Sequence, residues 1–124
     1  EHGAATTYHQ LGRIAQGQRD FAAAERWYRK SLEITERLGN EHGAAFTYGQ
    51  LGILAALQAR FEESARWLVR CAQGFVRSHD PAAVQQAARN ILLLFQQAPL
   101  PDRQAIRALW QQSGLPDLPW PDLD

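Results

Sequence analysis

The residues best suited to hold a metal ion are four histidines, His2, His9, His42 and His79, but their spacing argues against it. On a helix His2 and His9 stand two turns apart, roughly 10 Å at the helical rise, whereas metal–nitrogen bonds are about 2 Å long. His2 and His42 recur inside the same phrase, Glu-His-Gly-Ala-Ala. Repetition of a structural unit explains them and places both in the first turn of a helix. Gly12-x4-Gly17-Gln18-Arg19 has the glycine spacing of a phosphate-binding loop, yet it lacks the Lys-Ser/Thr that would grip a phosphate and ends a helical pattern instead of following a strand. Ser31, Ser64, Ser78 and Ser113 have no GxSxG surroundings, and Cys71 lies within an apolar helical pattern with no base in sequence reach. The expectation is a chain that is not an enzyme and uses no cofactor and no metal.

A repeat organises the remaining side chains. Residues 1–40 laid over 41–80 without a gap agree at 16 of 40 positions, among them Phe21 with Phe61 and Arg26-Trp27 with Arg66-Trp67. Self-similarity at a fixed spacing marks stacked units, none of which can bury its apolar face alone. In the first unit Tyr8, Leu11 and Ala15, then Phe21, Ala24, Tyr28, Leu32 and Leu38, recur every three to four residues. A break at Gln18-Arg19-Asp20 predicts two helices and a tight turn. Asp20 is suited to cap the second helix, and Gly39-Asn40 to end it and cap the next. The second unit predicts helices over 42–58 and 61–78. Asp80 followed by Pro81 is the strongest start signal in the chain and opens a fifth helix over 81–97. Ala98-Pro99-Leu100-Pro101 breaks it, and a sixth helix spans 102–113. Gly12 and Gly52 remove side chains where paired helices approach, and Leu11, Leu51, Phe21 and Phe61 fill the seam between them.

Length and composition bound the rest. With 124 residues and 45% hydrophobic composition the chain suits a single structural unit. Lys+Arg and Asp+Glu both number 13, so no broad basic field exists to hold nucleic acid. A lone cysteine cannot form an internal disulfide, which fits a reducing, cytoplasmic setting. No apolar run approaches the roughly eighteen residues of a membrane span, and the first residues are not built like a signal peptide, so no membrane partner is expected. Methionine is absent and the opening phrase returns at residue 41, which reads as a fragment beginning at a repeat boundary. Exposed repeat ends would allow self-association.

The spacing Tyr8-x2-Leu11-Gly12-x2-Ala15 followed by Ala24-x3-Tyr28 resembles the tetratricopeptide repeat, with Tyr8 and Ala15 in places where Trp and Tyr are usual. The second unit repeats it as Tyr48-x2-Leu51-Gly52-x2-Ala55 and Ser64-x3-Leu68. The third keeps only the apolar character of Ala88, Ile91, Leu92 and Phe95. Where the common 34-residue repeat has a proline after its second helix, this chain has Glu36 and Val76, which is similar to a forty-residue subclass found in cell-polarity adaptors and in sensor arms of bacterial signalling ATPases. The resemblance implies an all-α fold of about six helices, antiparallel pairs stacked as a short right-handed solenoid. It would form one domain over 1–113, made of repeats 1–40 and 41–80 and a degenerate closing repeat 81–113, before a Pro-rich extended tail over 114–124.

The resemblance also implies that the first helix of each pair lines a concave groove where a protein or peptide ligand lies. On this chain those positions are Thr6, His9, Gln10 and Arg13, then Phe46, Gly49, Gln50 and Ile53, then Gln86, Arg89, Asn90 and Leu93. Arg13 and Arg89 can pair with carboxylates, Gln10, Gln50 and Asn90 with peptide amides, and Phe46 and Ile53 offer apolar contact. The Lys, Asn and Arg set by which relatives clamp a terminal carboxylate is absent. Arg26, Arg29, Lys30, Arg37, Arg66, Arg70 and Arg77 alternate with glutamates on the outer helices, which reads as a solvated face. In the tail, Leu115, Leu118, Trp120 and Leu123 leave three roles open: a cap on the last helices, a linker, or a strand that enters a groove. The functional expectation is a protein-binding module, with a regulatory sensor arm of a larger bacterial signalling NTPase as the alternative.

Overall fold

The computed structural model describes residues 2–122, the side chain of His2 apart. Leu123 and the His2 side chain, both singled out above, lie outside the described residues. Six helices follow one another, α1 His2–Gly17, α2 Phe21–Arg37, α3 Glu41–Leu57, α4 Phe61–Arg77, α5 Pro81–Gln97 and α6 Leu100–Gln111. No strand occurs among the described residues.

The first four turns are built alike. Arg19, Gly39, Ala59 and His79 take left-handed backbone angles, with φ of 60°, 68°, 59° and 59°. The N–H of each bonds the carbonyl three residues back, and the next N–H bonds the one five back, as in Arg19 to Gln16 and Asp20 to Ala15. This double closure satisfies carbonyls left over at a helix end. The residue that completes it is also the N-cap of the following helix, so helix plus turn recurs every 20 residues and the pair every 40. Asp20, Asn40 and Asp80 accept from the amides of Ala23, Gly43 and Ala83 at 3.2, 2.9 and 3.1 Å. Arg60, in the equivalent place, makes no such bond.

The fifth turn differs from the sequence expectation. The helix expected from residue 102 starts at Leu100, with Pro99 as N-cap and Pro101 inside the first turn. Prolines are tolerated there because those amides lack intrahelical partners in any case. Arg103 spans the corner, its Nε donating to the Ala98 carbonyl at 3.0 Å and its Nη2 to that of Gln96 at 3.1 Å.

Packing is most extensive within the pairs α1–α2 and α3–α4, and α2–α3 and α4–α5 join consecutive units. These contacts make an all-α stack of the solenoid type. α6 bears more on α4 than on α5, so the last two helices close the stack together and do not form an isolated hairpin. The glycines expected at close approaches are there: a Cβ on Gly12 would lie 2.5 Å from the Tyr28 ring, and one on Gly52 3.0 Å from Leu68. Of the four residues expected to fill the seam, Leu51 is 2% exposed, while Leu11, Phe21 and Phe61 are half-buried. Tyr28, fully buried, takes the space that Gly12 leaves, which moves the larger neighbours to the margin.

Units are joined by polar as well as apolar contact. Tyr48 Oη of α3 donates to the Glu36 carboxylate of α2 at 2.7 Å, Arg70 of α4 reaches that carboxylate at 3.9 Å and lies over the Tyr48 ring at 4.4 Å, and Arg29 of α2 lies over the Trp67 ring at 5.5 Å. The outer-face charges therefore divide. Arg29–Glu25 and Arg66–Glu62 are exposed pairs one turn apart that contribute little, whereas Glu36 and Arg70 tie one unit to the next.

Among the described residues beyond α6 there is no regular structure, and Leu115, Leu118 and Trp120 lie against the core. The Trp120 ring sits 5.3 Å from Phe95, and the Trp110 indole donates to the Pro116 carbonyl at 2.9 Å.

Candidate functional site

One face of α1, α3 and α5 carries the residues expected to meet a ligand, and helical periodicity puts them there: 6, 9 and 13, then 46, 50 and 53, then 86, 90 and 93, recur on single stripes. Six of the twelve border two open cavities.

The first cavity, about 270 Å3, lies where α1 and α2 meet the start of α3. Thr6, His9 and Phe46 border it, with Ser31, Thr35, Asn40, His42, Gly43 and Thr47. His9 is wedged between rings, 5.6 Å from Tyr28 and 4.9 Å from Phe46. Its Nε2 is buried without a hydrogen-bond partner. Burial, with the Arg13 charge adding to it, holds its pKa below the usual imidazole value, so the ring is neutral near pH 7. A neutral imidazole and several hydroxyls can exchange hydrogen bonds with an amide or hydroxyl, and nothing in that set is a nucleophile paired with a base.

The second cavity, about 210 Å3, lies between α3, α4 and α5. Ile53, Asn90 and Leu93 border it with Ala56, Leu57, Leu94 and Gln97, above Ser64 and Leu68. Ile53, Leu57 and Leu93 are 36%, 46% and 52% exposed, a cluster of apolar side chains left in water. The Ser64 hydroxyl is satisfied by the Gly52 carbonyl at 2.7 Å, so the floor is effectively apolar. Leu57 was missed in the sequence although it stands one turn after Ile53. Its counterpart in the first unit is Gly17, which carries no side chain.

The other six expected residues fall outside these cavities. Gly49 faces the Cys71 sulfur, which a Cβ would approach to 3.1 Å, so it serves packing between α3 and α4. Gln10 and Arg13 are exposed and Gln50 is half-buried. Arg89 donates to Gln86 at 2.8 Å and Gln86 to Asn90 at 3.1 Å, which ties these three to one another along α5.

The remaining chemistry-bearing groups have structural surroundings. His42 contacts Asp80 at 3.0 Å and meets the Phe75 ring edge-on, and His79 occupies a turn. Burial pushes the Cys71 thiol up to about 12, only partly offset by hydrogen bonding with the Gly49 backbone. Among the described residues no group of three or more His, Cys, Asp or Glu is placed to hold a metal ion, and no helix is long and apolar enough to cross a membrane.

Among known protein families, the tetratricopeptide repeat family model matches residues 3–75. Comparison with curated proteins and with solved structures finds no match.

Proposed function

We propose, on the premise that the chain belongs to the tetratricopeptide repeat family, that it binds a segment of another protein along the face of α1, α3 and α5. Repeats of this family generally mediate protein–protein interaction. The observation that carries the finer reading is the apolar cavity rimmed by exposed Ile53, Leu57 and Leu93. Apolar side chains left in water around a concavity are suited to an anchoring side chain of a ligand. The polar cavity at His9 and Phe46 would take hydrogen-bonding groups farther along the same segment, and Arg13 and Arg89 would flank it. Turns spaced every 20 residues support placing the chain in the forty-residue subclass. On this reading residues 1–113 act as one binding domain, with the tail folded back onto its last helices.

A peptide-display selection against the full chain, followed by fluorescence anisotropy, tests the reading. Ile53→Asp and Leu93→Asp should weaken a selected peptide at least about tenfold, or about 1.4 kcal/mol, and Leu93→Asp, at a side chain 52% exposed, should leave the melting temperature nearly unchanged. Selected peptides that bind equally well to both variants would refute it.

A further inference from the structure

The charges of this chain cancel in total, yet they are divided unevenly between inner and outer helices. On α2 and α4, Arg29, Arg66, Arg70 and Arg77 each have a carboxylate close by, Glu25, Glu62, Glu36 and Glu41, at 3.0, 3.7, 3.9 and 3.2 Å. The helices α1, α3 and α5, whose shared face borders both cavities, contain a single carboxylate between them, Glu41. That one is drawn towards Arg77 of α4. The same three helices contain Arg13 and Arg89, and neither has a carboxylate partner among the described residues.

Nothing else on this face offsets the two cations. Arg89 donates to the uncharged Gln86 at 2.8 Å. Burial first, and the Arg13 charge second, hold the His9 pKa down, so the Arg13 charge is felt within the first cavity. Asp80, at the start of α5, is engaged by His42 and by the Ala83 amide at 3.0 and 3.1 Å.

The repeat fixes where the cations stand. Arg13, Ile53 and Leu93 occupy one position in successive units, 40 residues apart, so the guanidinium stands level with the apolar rim of the second cavity. Arg89 is equivalent to His9 and Gly49, one turn away, or about 6 Å at the helical rise. His9 of α1 and Phe46 of α3 have ring centroids 4.9 Å apart, so α1 and α3 are neighbours along the groove. Neighbouring helix axes lie about 8–10 Å apart, a step that about three residues of extended chain cover. Guanidiniums without a counter-ion around exposed apolar side chains match a ligand of opposite sign around an apolar centre.

We propose that the segment bound by this face is acidic: an apolar side chain seated among Ile53, Leu57 and Leu93, with aspartate or glutamate residues within about three positions of it that pair with Arg13 and Arg89. This rests on the reading that the face binds a protein segment, and adds the sign and spacing of that segment's charges. Two cations set apart call for two carboxylates, and a chain terminus supplies only one, so the carboxylates are those of side chains.

The test measures binding of the full chain, by fluorescence anisotropy, to C-terminally amidated peptides with a central leucine and acidic, neutral, basic or phosphoserine flanks. Acidic-flank peptides should bind at least about tenfold tighter than neutral ones, with the gap narrowing as salt is raised. Arg13→Glu and Arg89→Glu should each weaken them at least about tenfold, and exchanging Asp for Lys in the peptide should restore part of the loss. Leu93→Asn, which adds no charge, should weaken them too. Arg66→Glu, the same change of net charge on the outer face, should leave binding as it is. All four substituted side chains are exposed, so melting temperatures confirm that each variant is folded. Leu93-dependent peptides that are neutral or basic, or acidic ones indifferent to both inner-face arginine variants, would overturn this inference and leave the binding face in place. Phosphoserine peptides that bind where Asp and Glu peptides do not would overturn it as well. If no flank class yields a peptide sensitive to Leu93→Asn, both readings fail.

Discussion

Replacing Gly12 by alanine adds one methyl group to the middle of α1, and helix propensity alone would make the variant more stable by about 1 kcal/mol. The structure reverses that sign. The new Cβ would lie 2.5 Å from Tyr28 Cδ1 and Cε1, about 1–1.5 Å inside the usual carbon–carbon contact of about 3.5–4.0 Å. The Tyr28 ring is fully buried and held at its far end by a 2.9 Å hydrogen bond to Gln16. It cannot swing into solvent without emptying the centre of the first helix pair. Overpacking of this kind costs about 1–3 kcal/mol, and loosening the Gln16 bond adds about 0.5–1.5. Set against the propensity gain, the net loss is about 0.5–3.5 kcal/mol. Urea unfolding followed by helical circular dichroism measures it, with a lowered midpoint at constant slope. Gly3→Ala is the control, since its Cβ meets nothing within 4 Å. Tyr28→Leu, which copies the Gly52–Leu68 arrangement, should recover part of the loss when combined with Gly12→Ala. A Gly12→Ala chain at least as stable as the parent would refute the argument.

Three other outcomes are expected. Ala59→Gly should stabilise the chain by about 0.5–1 kcal/mol, because a left-handed alanine at φ 59° carries steric strain that glycine lacks; urea midpoints decide it. Cys71 should react with a thiol reagent at pH 8 only at the rate at which the fold opens, since burial raises its pKa to about 12; labelling as fast as in urea-unfolded chain would contradict this. His9 is held below its unfolded pKa of 6.5 by burial and by Arg13, so the folded state binds fewer protons than the unfolded one between the two values. Stability should therefore fall as pH drops through 6.5 towards the folded pKa, and His9→Phe should flatten that part of the melting-temperature profile.

How much was legible in the residues can be argued from particular places. Asp20, Asn40 and Asp80 announced their helices because a cap is a local device, complete within four residues. The sixth helix was placed two residues late because Pro99 and Pro101 read as a break, although a proline in a first turn costs nothing. Phe46, Ile53 and Leu93 were reached through the family resemblance, which implies a groove lined by the first helix of each pair. Leu57 was not, because its exposure depends on how far α5 stands from α3.

The sequence by itself determined the period, the first five helices and the turns between them, since a 3.6-residue apolar rhythm, caps and a copied phrase are all written in neighbouring residues. Only the tertiary structure decided that Tyr28 and not Leu11 fills the gap at Gly12, that Glu36 and Arg70 join one unit to the next, and that Glu41 turns to Arg77 and leaves Arg13 and Arg89 without a carboxylate among the described residues. Those outcomes depend on distances between residues far apart in the chain, where volume and charge are matched across helices.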